Sequence, residues 1–182
     1  MKNNKNSGFT LIELVVVIVI LAVLAVVALP RFISYQRDAH LARADTAFAS
    51  FENAVQLYHS KWFTEGEPTG VVGYATGDIY PTSTGYPLTL RDNITNQKPV
   101  DKLEGNDCLD LWRSLLTTDL TVAQHTVGEP VYNHQDDIVS WYTGDQCYYY
   151  YTKGFNAGER LPILYYNPVS GEFTKKTDKP YE

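Results

Sequence analysis

One carboxylate, Glu13, lies near the start of a long apolar run, and a charge at that position needs a chemical explanation. The 16 residues from Leu14 to Leu29 carry no charge, and a count from Phe9 gives 21 residues with Glu13 as the single charge. A carboxylate inside lipid costs about 2.5 to 3.5 kcal/mol even on lenient insertion scales. Glu13 therefore requires a function that offsets this cost.

Two cysteines, Cys108 and Cys147, are the only thiols in the chain. In an exported protein the default expectation for such a pair is one disulfide. The bridge would close a loop of about 40 residues and, in the chain-entropy model, stabilise the fold by roughly 4 kcal/mol. In a cytosolic protein a metal-binding pair or two buried thiols would be the stronger expectation. No Cys-x-x-Cys spacing and no closely spaced histidines support the metal site.

A third group of polar residues, His134, Asp136 and Asp137, has the types needed for a metal site or for acid–base catalysis. The same segment has the composition of a polar turn before a strand, and we favour the turn. A calcium site on this turn or near Asp78 is an alternative, but no EF-hand spacing supports it. The other histidines are isolated and no nucleophile motif occurs. The sequence thus predicts a protein that is not an enzyme, with no catalytic residue, no metal ligand and no cofactor.

Four consecutive tyrosines, residues 148–151, form an aromatic run. In a strand, alternate side chains face opposite sides of the sheet, so one pair is expected in the core and the other pair toward partners or sugars. Tyrosine suits either role because its ring has an apolar face and a polar tip. We favour structural packing over carbohydrate recognition.

The charge composition limits the classes of partner. The 182-residue chain has 15 basic and 21 acidic residues and a net charge of −6, and two of the lysines lie within the first eight residues. Binding to duplex DNA needs a concentrated Lys/Arg surface, so the composition argues against a nucleic-acid partner. The length allows one domain with an appendage but not two full-sized domains.

The apolar run positions Glu13, and its length allows a helix that crosses a membrane. At 1.5 Å per residue the run reaches about 31 Å, which matches the hydrocarbon core of a bilayer. Three interpretations compete: a cleaved secretory signal, a plain membrane anchor, and a leader followed by an assembly helix. A secretory signal would need its cleavage site after the run, where Val26-Val27-Ala28 is a weak match, and its apolar core rarely begins with an acid.

The segment from Gly8 to Leu14, Gly-Phe-Thr-Leu-Ile-Glu-Leu, follows a short basic leader and precedes the apolar run. In this context it resembles the processing signal of type IV pilins and the related pseudopilins, without interruption over the whole segment. The resemblance implies that a membrane-bound prepilin peptidase cuts between Gly8 and Phe9, and that the new amino terminus of Phe9 is N-methylated. It also implies that residues 1–8 are a leader peptide and that Glu13 is required for assembly.

The resemblance supplies a partner for the carboxylate. The α-amine of a cleaved and methylated Phe9 stays positive, and in a stack of parallel, staggered helices it can face Glu13 of a neighbouring subunit. Each charge compensates the other within the apolar bundle, whereas either charge alone would be costly. The expected partners are therefore other pilin subunits, the prepilin peptidase, the inner membrane and the pilus assembly machinery.

Pro30 follows the apolar run directly and is predicted to kink or loosen the helix, because it cannot donate to the carbonyl of Val26. Type IV pilins also have a proline at this place, which implies a role in assembly. Beyond it, seven apolar or small residues recur at spacings of three and four, as on one face of a helix: Leu41, Ala44, Phe48, Phe51, Val55, Tyr58 and Trp62. We predict one helix over residues 9–63, with residues 9–30 in the membrane or filament core and residues 31–63 forming an amphipathic half.

Residues 64–182 are predicted to form a globular head against the amphipathic half of the helix. Many glycines and prolines interrupt residues 64–106, so we predict a long connecting loop there, with at most a short strand near residues 71–74. A short helix is predicted over residues 107–117, with Asp107 as its cap.

The region 118–182 is predicted to be a β-sheet with two hairpins, whose turns lie at residues 143–145 and 167–171. The predicted fold class is α+β: a type IV pilin fold in which the long amino-terminal helix packs on an antiparallel sheet. In pilins a disulfide commonly stabilises the carboxyl-terminal region, and the resemblance therefore implies a disulfide between Cys108 and Cys147.

Several short pieces narrow the resemblance to the mannose-sensitive haemagglutinin (MSHA) branch of type IV pilins. They are Pro30-Arg31-Phe32, Gly85-Tyr86-Pro87, Cys108-Leu109-Asp110-Leu111-Trp112, and the turn from Tyr165-Tyr166-Asn167-Pro168 to Gly171. The resemblance implies a major or minor structural subunit that begins as a single-pass inner-membrane precursor and ends in a surface pilus used for attachment, with surface glycans as a further partner. The alternatives are a pseudopilin of a type II secretion or DNA-uptake system, and a membrane-anchored carbohydrate-binding module that never polymerises.

Overall fold

The computed structural model describes residues 9–90, 101–133 and 135–180. One helix, α1, covers Leu11–Thr64, and the chain divides after Ala39 into two compact units. The first unit holds the amino-terminal part of α1. The second unit, the head, holds the rest of α1 together with a shorter helix and two β-sheets among the described residues. The ends of α1 differ from the predicted helix by no more than the usual uncertainty of helix boundaries.

The part of α1 within the head carries the predicted apolar face. Six of the seven residues in the predicted stripe are buried, from Ala44 to Trp62, and Leu41 is partly buried. Charged residues such as Arg43 and Asp45 lie between them and are exposed. The helical spacing therefore predicted the buried face correctly, because side chains three and four residues apart share one side of a helix.

Residues 64–106, predicted as a loop with at most one short strand near residues 71–74, contain a small antiparallel sheet in which that strand is joined by two others. Its strands β1 (Val72–Tyr74), β2 (Gly77–Pro81) and β3 (Pro87–Leu90) are neighbours in sequence order. Gly77, Pro81 and Pro87 lie at strand ends and Gly85 lies in the turn between β2 and β3, and the register of β2 on β3 shifts at Pro81. Strands of four or five residues are too short to show a clear alternation of apolar and polar side chains, which explains why β2 and β3 were not predicted.

A five-stranded sheet forms the larger part of the head. Its strands, in spatial order, are β4 (Val122–Gln124), β5 (Ile138–Thr143), β6 (Gln146–Tyr151), β7 (Leu161–Asn167) and β8 (Glu172–Asp178). The four longer strands pair in antiparallel fashion, and both predicted hairpins are present, between β5 and β6 and between β7 and β8. β4 was not predicted, and it adds one parallel pair beside β5.

Helix α2 (Asp107–Leu115) is joined to β6 by a disulfide between Cys108 and Cys147. The two Cα atoms are 5.6 Å apart, and both side chains are fully buried. The bridge therefore links the short helix to the centre of the large sheet. The predicted disulfide is confirmed.

Asp107 does not cap α2 as predicted. It is the first residue of the helix, and Asn106 occupies the N-cap position without a side-chain hydrogen bond. The buried Asp107 carboxylate instead accepts hydrogen bonds from Thr89 Oγ1 at 2.5 Å and from the backbone N–H of Glu104 at 2.7 Å. These two donors compensate the burial of the charged carboxylate. The hydrogen bonds also connect β3 and the segment before α2 to the start of that helix.

Phe51 lies at the centre of the main hydrophobic core and is fully buried. Its ring stacks on Trp112 with a centroid distance of 5.1 Å, and it contacts Tyr149 at 4.9 Å and Tyr166 at 5.7 Å. Aromatic pairs of this kind add about 0.5 to 1.5 kcal/mol each beyond the area that they bury. Helix α1, helix α2 and the large sheet therefore meet at one side chain.

Three buried tyrosines in this core have their hydroxyl groups satisfied by backbone carbonyls. The donations are from Tyr58 to Ile79 at 2.9 Å, from Tyr149 to Cys108 at 2.8 Å and from Tyr166 to Pro87 at 2.8 Å. Burial raises the pKa of all three hydroxyls above the ordinary value, because desolvation disfavours the tyrosinate. The hydroxyls remain neutral donors and join both sheets to the core.

The two sheets are also tied together at their turns. Thr82 Oγ1 donates to the carbonyl of Pro168 at 3.0 Å, and Thr84 Oγ1 donates to the carbonyl of Val169 at 2.6 Å. Gly171 has a φ of +71°, and a Cβ atom there would lie 2.1 Å from the ring of Tyr86. Glycine is therefore required at this position both by the backbone conformation and by the close approach of the ring.

The described residues confirm the predicted fold class. A long amino-terminal helix that is apolar in its first part, β-sheets packed on its second part and one disulfide constitute an α+β arrangement that matches a type IV pilin fold. The division into leader, assembly helix, amphipathic half and head remains a prediction.

Candidate functional site

The candidate site is the amino-terminal segment that surrounds the predicted cleavage position. Every residue from Phe9 to Leu29 is exposed, and Phe9 has 87% of its surface accessible, whereas Gly8 lies outside the described residues. Exposure of this much apolar surface to water is unfavourable. Soluble proteins often expose single, scattered apolar residues, but they rarely expose a continuous apolar surface of this length. The segment is therefore built to be covered by something other than its own unit.

Lipid is one environment that can cover it. Within the part of the chain that the structure describes, α1 alone is long and apolar enough to cross a membrane, as judged by its length and composition. After Glu13 the next charged residue is Arg31. The stretch between them is long enough, at 1.5 Å per residue, to reach across most of a hydrocarbon core of about 30 Å.

Thr10 and Glu13 are joined by three hydrogen bonds at the start of α1, two donated by Thr10 and one donated by Glu13. The backbone N–H and the Oγ1 hydroxyl of Thr10 donate to Glu13 Oε2 at 2.9 and 2.8 Å, and the backbone N–H of Glu13 donates to Thr10 Oγ1 at 3.3 Å. Because α1 begins at Leu11, Thr10 is the N-cap and Glu13 is the third helical residue. This geometry is a capping box, in which two helix-terminal N–H groups are satisfied by side chains.

The capping box gives Glu13 a second role that the sequence reasoning missed. The signal was present, since a threonine followed three residues later by glutamate ahead of an apolar run is the pattern of a capping box. A glutamate in the first turn also interacts favourably with the helix dipole. Part of the cost of this carboxylate is therefore offset within the chain, and a glutamine could make the same cap without the charge.

The two carboxylate oxygens of Glu13 are used differently. Both hydrogen bonds from Thr10 end on Oε2, and Oε1 accepts none from any described residue. A carboxylate can accept about four hydrogen bonds, so the cap leaves capacity for a further donor. The geometry thus allows Glu13 to cap its own helix and bind a cation at the same time.

Pro30, the other predicted assembly residue, lies within α1. The helix continues through this position without interruption from Leu11 to Thr64. A break of the helix at Pro30 is therefore not observed, although proline still removes one hydrogen-bond donor at that turn. The predicted loosening and the role in assembly remain predictions.

The candidate acid–base residues are placed where they stabilise the head. The Asp137 carboxylate accepts hydrogen bonds from the backbone N–H and the hydroxyl of Thr121 at 3.0 and 3.1 Å, and these bonds hold the start of β4 beside β5. The carbonyl of Asp136 accepts from Thr152 Oγ1 at 2.7 Å. His134 lies outside the described residues, within which no group of three or more potential metal ligands occurs.

The four tyrosines of β6 divide between the two faces of the large sheet. Tyr149 and Tyr151 are buried in the main core, as expected for one alternating pair. Tyr150 is buried in a smaller cluster on the opposite face, and Tyr148 is partly exposed there. The prediction that packing dominates holds for three of these residues, and Tyr148 is the one left at the surface.

Comparison with known proteins identifies the amino-terminal segment. Residues 3–29 match a family model described as the prokaryotic N-terminal methylation motif. The match includes Gly8, Phe9 and Glu13, and it supports a prepilin-type protein that is either type IV pilin-like or a pseudopilin. Together with the apolar helix it fits a membrane-anchored precursor. No curated protein and no solved structure matches the chain significantly.

Proposed function

We propose that this chain is the structural subunit of a type IV pilus, cut between Gly8 and Phe9 and polymerised through its amino-terminal helix. The observation that carries the proposal is the coincidence of the methylation motif over residues 3–29 with an amino-terminal segment, largely helical, whose side chains from Phe9 to Leu29 are all exposed. Such a surface is stable in lipid before assembly and among neighbouring helices afterwards.

Glu13 sets the register of the filament in this proposal. Cleavage creates a positive α-amine on Phe9, and N-methylation keeps that charge. Two opposite unit charges 4 Å apart attract each other by about 4 kcal/mol at an effective dielectric constant of 20, whereas a lone charge in the apolar bundle is penalised. The pairing therefore favours the one stagger of subunits that brings an amine to each carboxylate.

The hydrogen bonds at the helix start are compatible with this pairing. Thr10 engages only Oε2 of Glu13, which leaves Oε1 for the amine of a neighbouring subunit. The capping box also holds the carboxylate in one rotamer, so less conformational entropy is lost when the amine binds. Thr10 thus acts as a positioning residue for the assembly contact.

Processing is tested by mass spectrometry of the mature amino terminus, with the protein isolated from cell envelopes and from sheared surface material. We expect an N-methylated Phe9 in both fractions. An intact Met1 would leave the chain as a plain membrane anchor, and a terminus at Leu29 would make residues 1–28 an ordinary secretory signal. Either result contradicts the proposal.

The finer assignment is to an MSHA-like pilus used for surface attachment, and it rests on the short pieces of resemblance from Pro30 to Gly171. A pseudopilin of a secretion or DNA-uptake system shares the same amino-terminal motif and is the second candidate. Immunogold electron microscopy with an antibody against the head separates them, because long labelled surface filaments are expected only from a pilus. Label confined to the cell envelope would favour the pseudopilin. If the envelope label also shows no subunit cross-links, the chain is a module that does not polymerise.

A further inference from the structure

The indole N–H of Trp112 is buried without a hydrogen-bond acceptor. Trp112 lies on α2 with 1% of its surface accessible, and its Nε1 atom has no partner among the described residues. Its ring contacts Phe51 and Tyr149 through aromatic packing. Buried indole N–H groups usually find an acceptor, as in Trp62, whose Nε1–H donates to the carbonyl of Pro68 at 2.9 Å. Trp112 therefore holds an unused donor inside the head.

A cavity of about 170 Å³ includes Trp112 in its lining, and we name it the Trp112 cavity. Ala47 of α1 and Leu116 and Leu120, which follow α2, supply its other apolar walls. A cavity of about 150 Å³ can hold a molecule the size of benzene, so this one has room for roughly six to nine non-hydrogen atoms. Ligand sites typically combine apolar walls of this kind with a few polar groups that orient the ligand.

The wall that α1 contributes carries hydroxyl oxygens that can accept hydrogen bonds. Thr46 Oγ1 donates to the carbonyl of Ala42 at 2.8 Å, and Ser50 Oγ donates to the carbonyl of Thr46 at 2.8 Å. Both hydroxyls line the cavity. Because each has a single proton, which is already used, only their lone pairs remain for a ligand. The cavity thus combines acceptors on α1 with a donor on Trp112.

The charged residues of the lining form an ion pair with each other. Arg43 Nη2 lies 2.5 Å from Asp119 Oδ2, and the two side chains have 46% and 84% of their surface accessible. The pair therefore lies where the cavity opens to solvent. The charge of Arg43 is already compensated, and the Asp119 carboxylate would repel an anion. The cavity suits a neutral ligand better than an acid.

A carboxamide meets these requirements together. Its carbonyl oxygen can accept the buried indole proton, its N–H can donate to a hydroxyl lone pair, and it carries no charge. A hydrocarbon of the same size would leave the Trp112 donor unsatisfied. A carboxylic acid would be ionised at neutral pH and would have no N–H to donate.

We propose that the Trp112 cavity binds a carboxamide group with a short apolar substituent. The carbonyl accepts from Trp112 Nε1–H, the amide N–H donates to Thr46 or Ser50, and the substituent packs on the apolar walls. The same group occurs in free small amides and in the acetamido group of sugars, and the experiment separates these sources. The site lies wholly in the head and does not depend on filament assembly, so either proposal can fail without the other.

The test follows the indole N–H signals of the three tryptophans by NMR, on the ¹⁵N-labelled full chain in detergent. The probes are isobutyramide and methyl N-acetyl-β-glucosaminide. We expect at least one to move the Trp112 signal downfield to saturation, with a dissociation constant on the order of millimolar for so small a ligand. The Trp62 signal should stay fixed, because that N–H is already bonded to Pro68. Tighter binding of isobutyramide assigns the site to free amides, and tighter binding of the glucosaminide assigns it to sugars.

Isosteric probes test the chemistry of the contact. Isobutyrate replaces the neutral amide by a carboxylate, and methyl β-glucoside lacks the acetamido group. The isostere of whichever amide binds should bind about tenfold more weakly than that amide. Asp119→Asn should reduce the preference for isobutyramide over isobutyrate by about threefold, because it removes an exposed repelling charge.

Variants of the lining supply the second arm, with binding measured by saturation transfer to the probe. Trp112→Phe keeps a ring in the aromatic stack but removes the donor, and it should weaken amide binding by about tenfold. Ala47→Met should fill the cavity and weaken binding by at least about tenfold. Ala49→Met is the matched control on the same helix, outside the lining, and should bind as the wild type does. If urea unfolding shows that Ala47→Met is not folded, Ser50→Leu at an exposed lining position takes its place.

Four results would overturn the proposal. If neither amide moves the Trp112 signal, the cavity holds only water. Equal binding of the amide and its isostere would exclude the amide contact. Undiminished binding by the folded cavity-filling variant would place the ligand elsewhere, and an equal loss in Ala49→Met would show a general disturbance of the head.

Discussion

The two compact units of the chain use apolar residues in opposite ways. In the head, large side chains such as Phe48, Phe51 and Tyr58 have at most 1% of their surface accessible, and they pack on sheets and on α2. In the first unit, apolar side chains, mainly of leucine, isoleucine and valine, are exposed along the whole stretch from Phe9 to Leu29. The head buries its apolar side chains within its own fold. The first unit leaves its apolar side chains exposed, where lipid or another chain can cover them.

This difference separates two kinds of mutational effect. Burial within the head contributes to the free energy of unfolding, because the unfolded chain exposes what the fold covers. Exposed apolar residues in the first unit gain nothing from the fold of a single chain, and their contribution appears only on insertion or association. Variants in the two units should therefore change different measurements.

The largest expected effect is on assembly, from Glu13→Gln. Glutamine preserves the capping box, so the helix should begin at the same residue, but it removes the charge that we propose to pair with the Phe9 amine. We expect the variant to be processed and inserted in the membrane normally and to form no filaments by electron microscopy. The unfolding of its head in urea should match that of the wild type. Normal filaments from this variant would refute the charge-pairing mechanism.

Alkaline pH should unfold the head selectively. The pKa values of Tyr58, Tyr149 and Tyr166 are raised by burial, so above about pH 10 the unfolded chain releases protons that the folded head retains. The stability is fully present below that pH and falls above it by about 1.4 kcal/mol per pH unit for each tyrosine. Urea midpoints and tyrosinate absorbance measured from about pH 8 to about pH 12 should change together. An unchanged midpoint over this range would contradict the prediction.

Truncation of one large side chain in each unit tests the comparison directly. Phe51→Ala should lower the free energy of unfolding of the head by about 4 kcal/mol, because a fully buried ring leaves a cavity among Trp112, Tyr149 and Tyr166. Leu24→Ala is the matched variant in the first unit, where Leu24 has 60% of its surface accessible. It should leave head unfolding unchanged in urea titrations. A similar loss in both variants would show that the units do not behave separately.

The smallest expected effect is that of Thr10→Val. The substitution removes the capping hydroxyl and retains the Glu13 charge, so the first turn of α1 should lose about 1 kcal/mol. Amide hydrogen exchange in detergent should become faster at Glu13 and Leu14, whose N–H groups bond to Thr10, and stay unchanged beyond the second turn. Filaments should still form, in contrast to those of Glu13→Gln, and their absence would make the cap rather than the charge essential.

The sequence predicted those parts of the fold that follow from local periodicity and turn chemistry. The spacing of Phe48, Phe51 and Val55 revealed the buried face of α1, and Thr143-Gly144-Asp145 revealed a hairpin. β1 lies at the short strand predicted near residues 71–74, whereas β2 and β3 were missed because four or five residues show too little alternation to be recognised. β4 was missed because its parallel pairing with β5 depends on contacts between segments that are distant in sequence.

The candidate site was predictable in its residues but not in its geometry. Gly8, Phe9 and Glu13 were recognised from a contiguous motif, whereas the bond from Thr10 to one oxygen of Glu13 required coordinates. The register of the large sheet shows the same limit more strongly. Trp141 and Tyr165 are unremarkable apart in sequence, and only the strand register places them on either side of Tyr148.

In the proposed filament, the disulfide has a consequence when a subunit is under tension. Cys108 and Cys147 are separated by 39 positions in sequence and connect α2 to β6, the central strand of the large sheet. If a force pulled on the two ends of the head, the residues between the two bridged cysteines could not be extended. The fully extended contour of the head would be shorter by about 130 Å than that of the reduced chain. The bridge therefore limits how far a subunit can lengthen under load, in addition to its contribution to stability at rest.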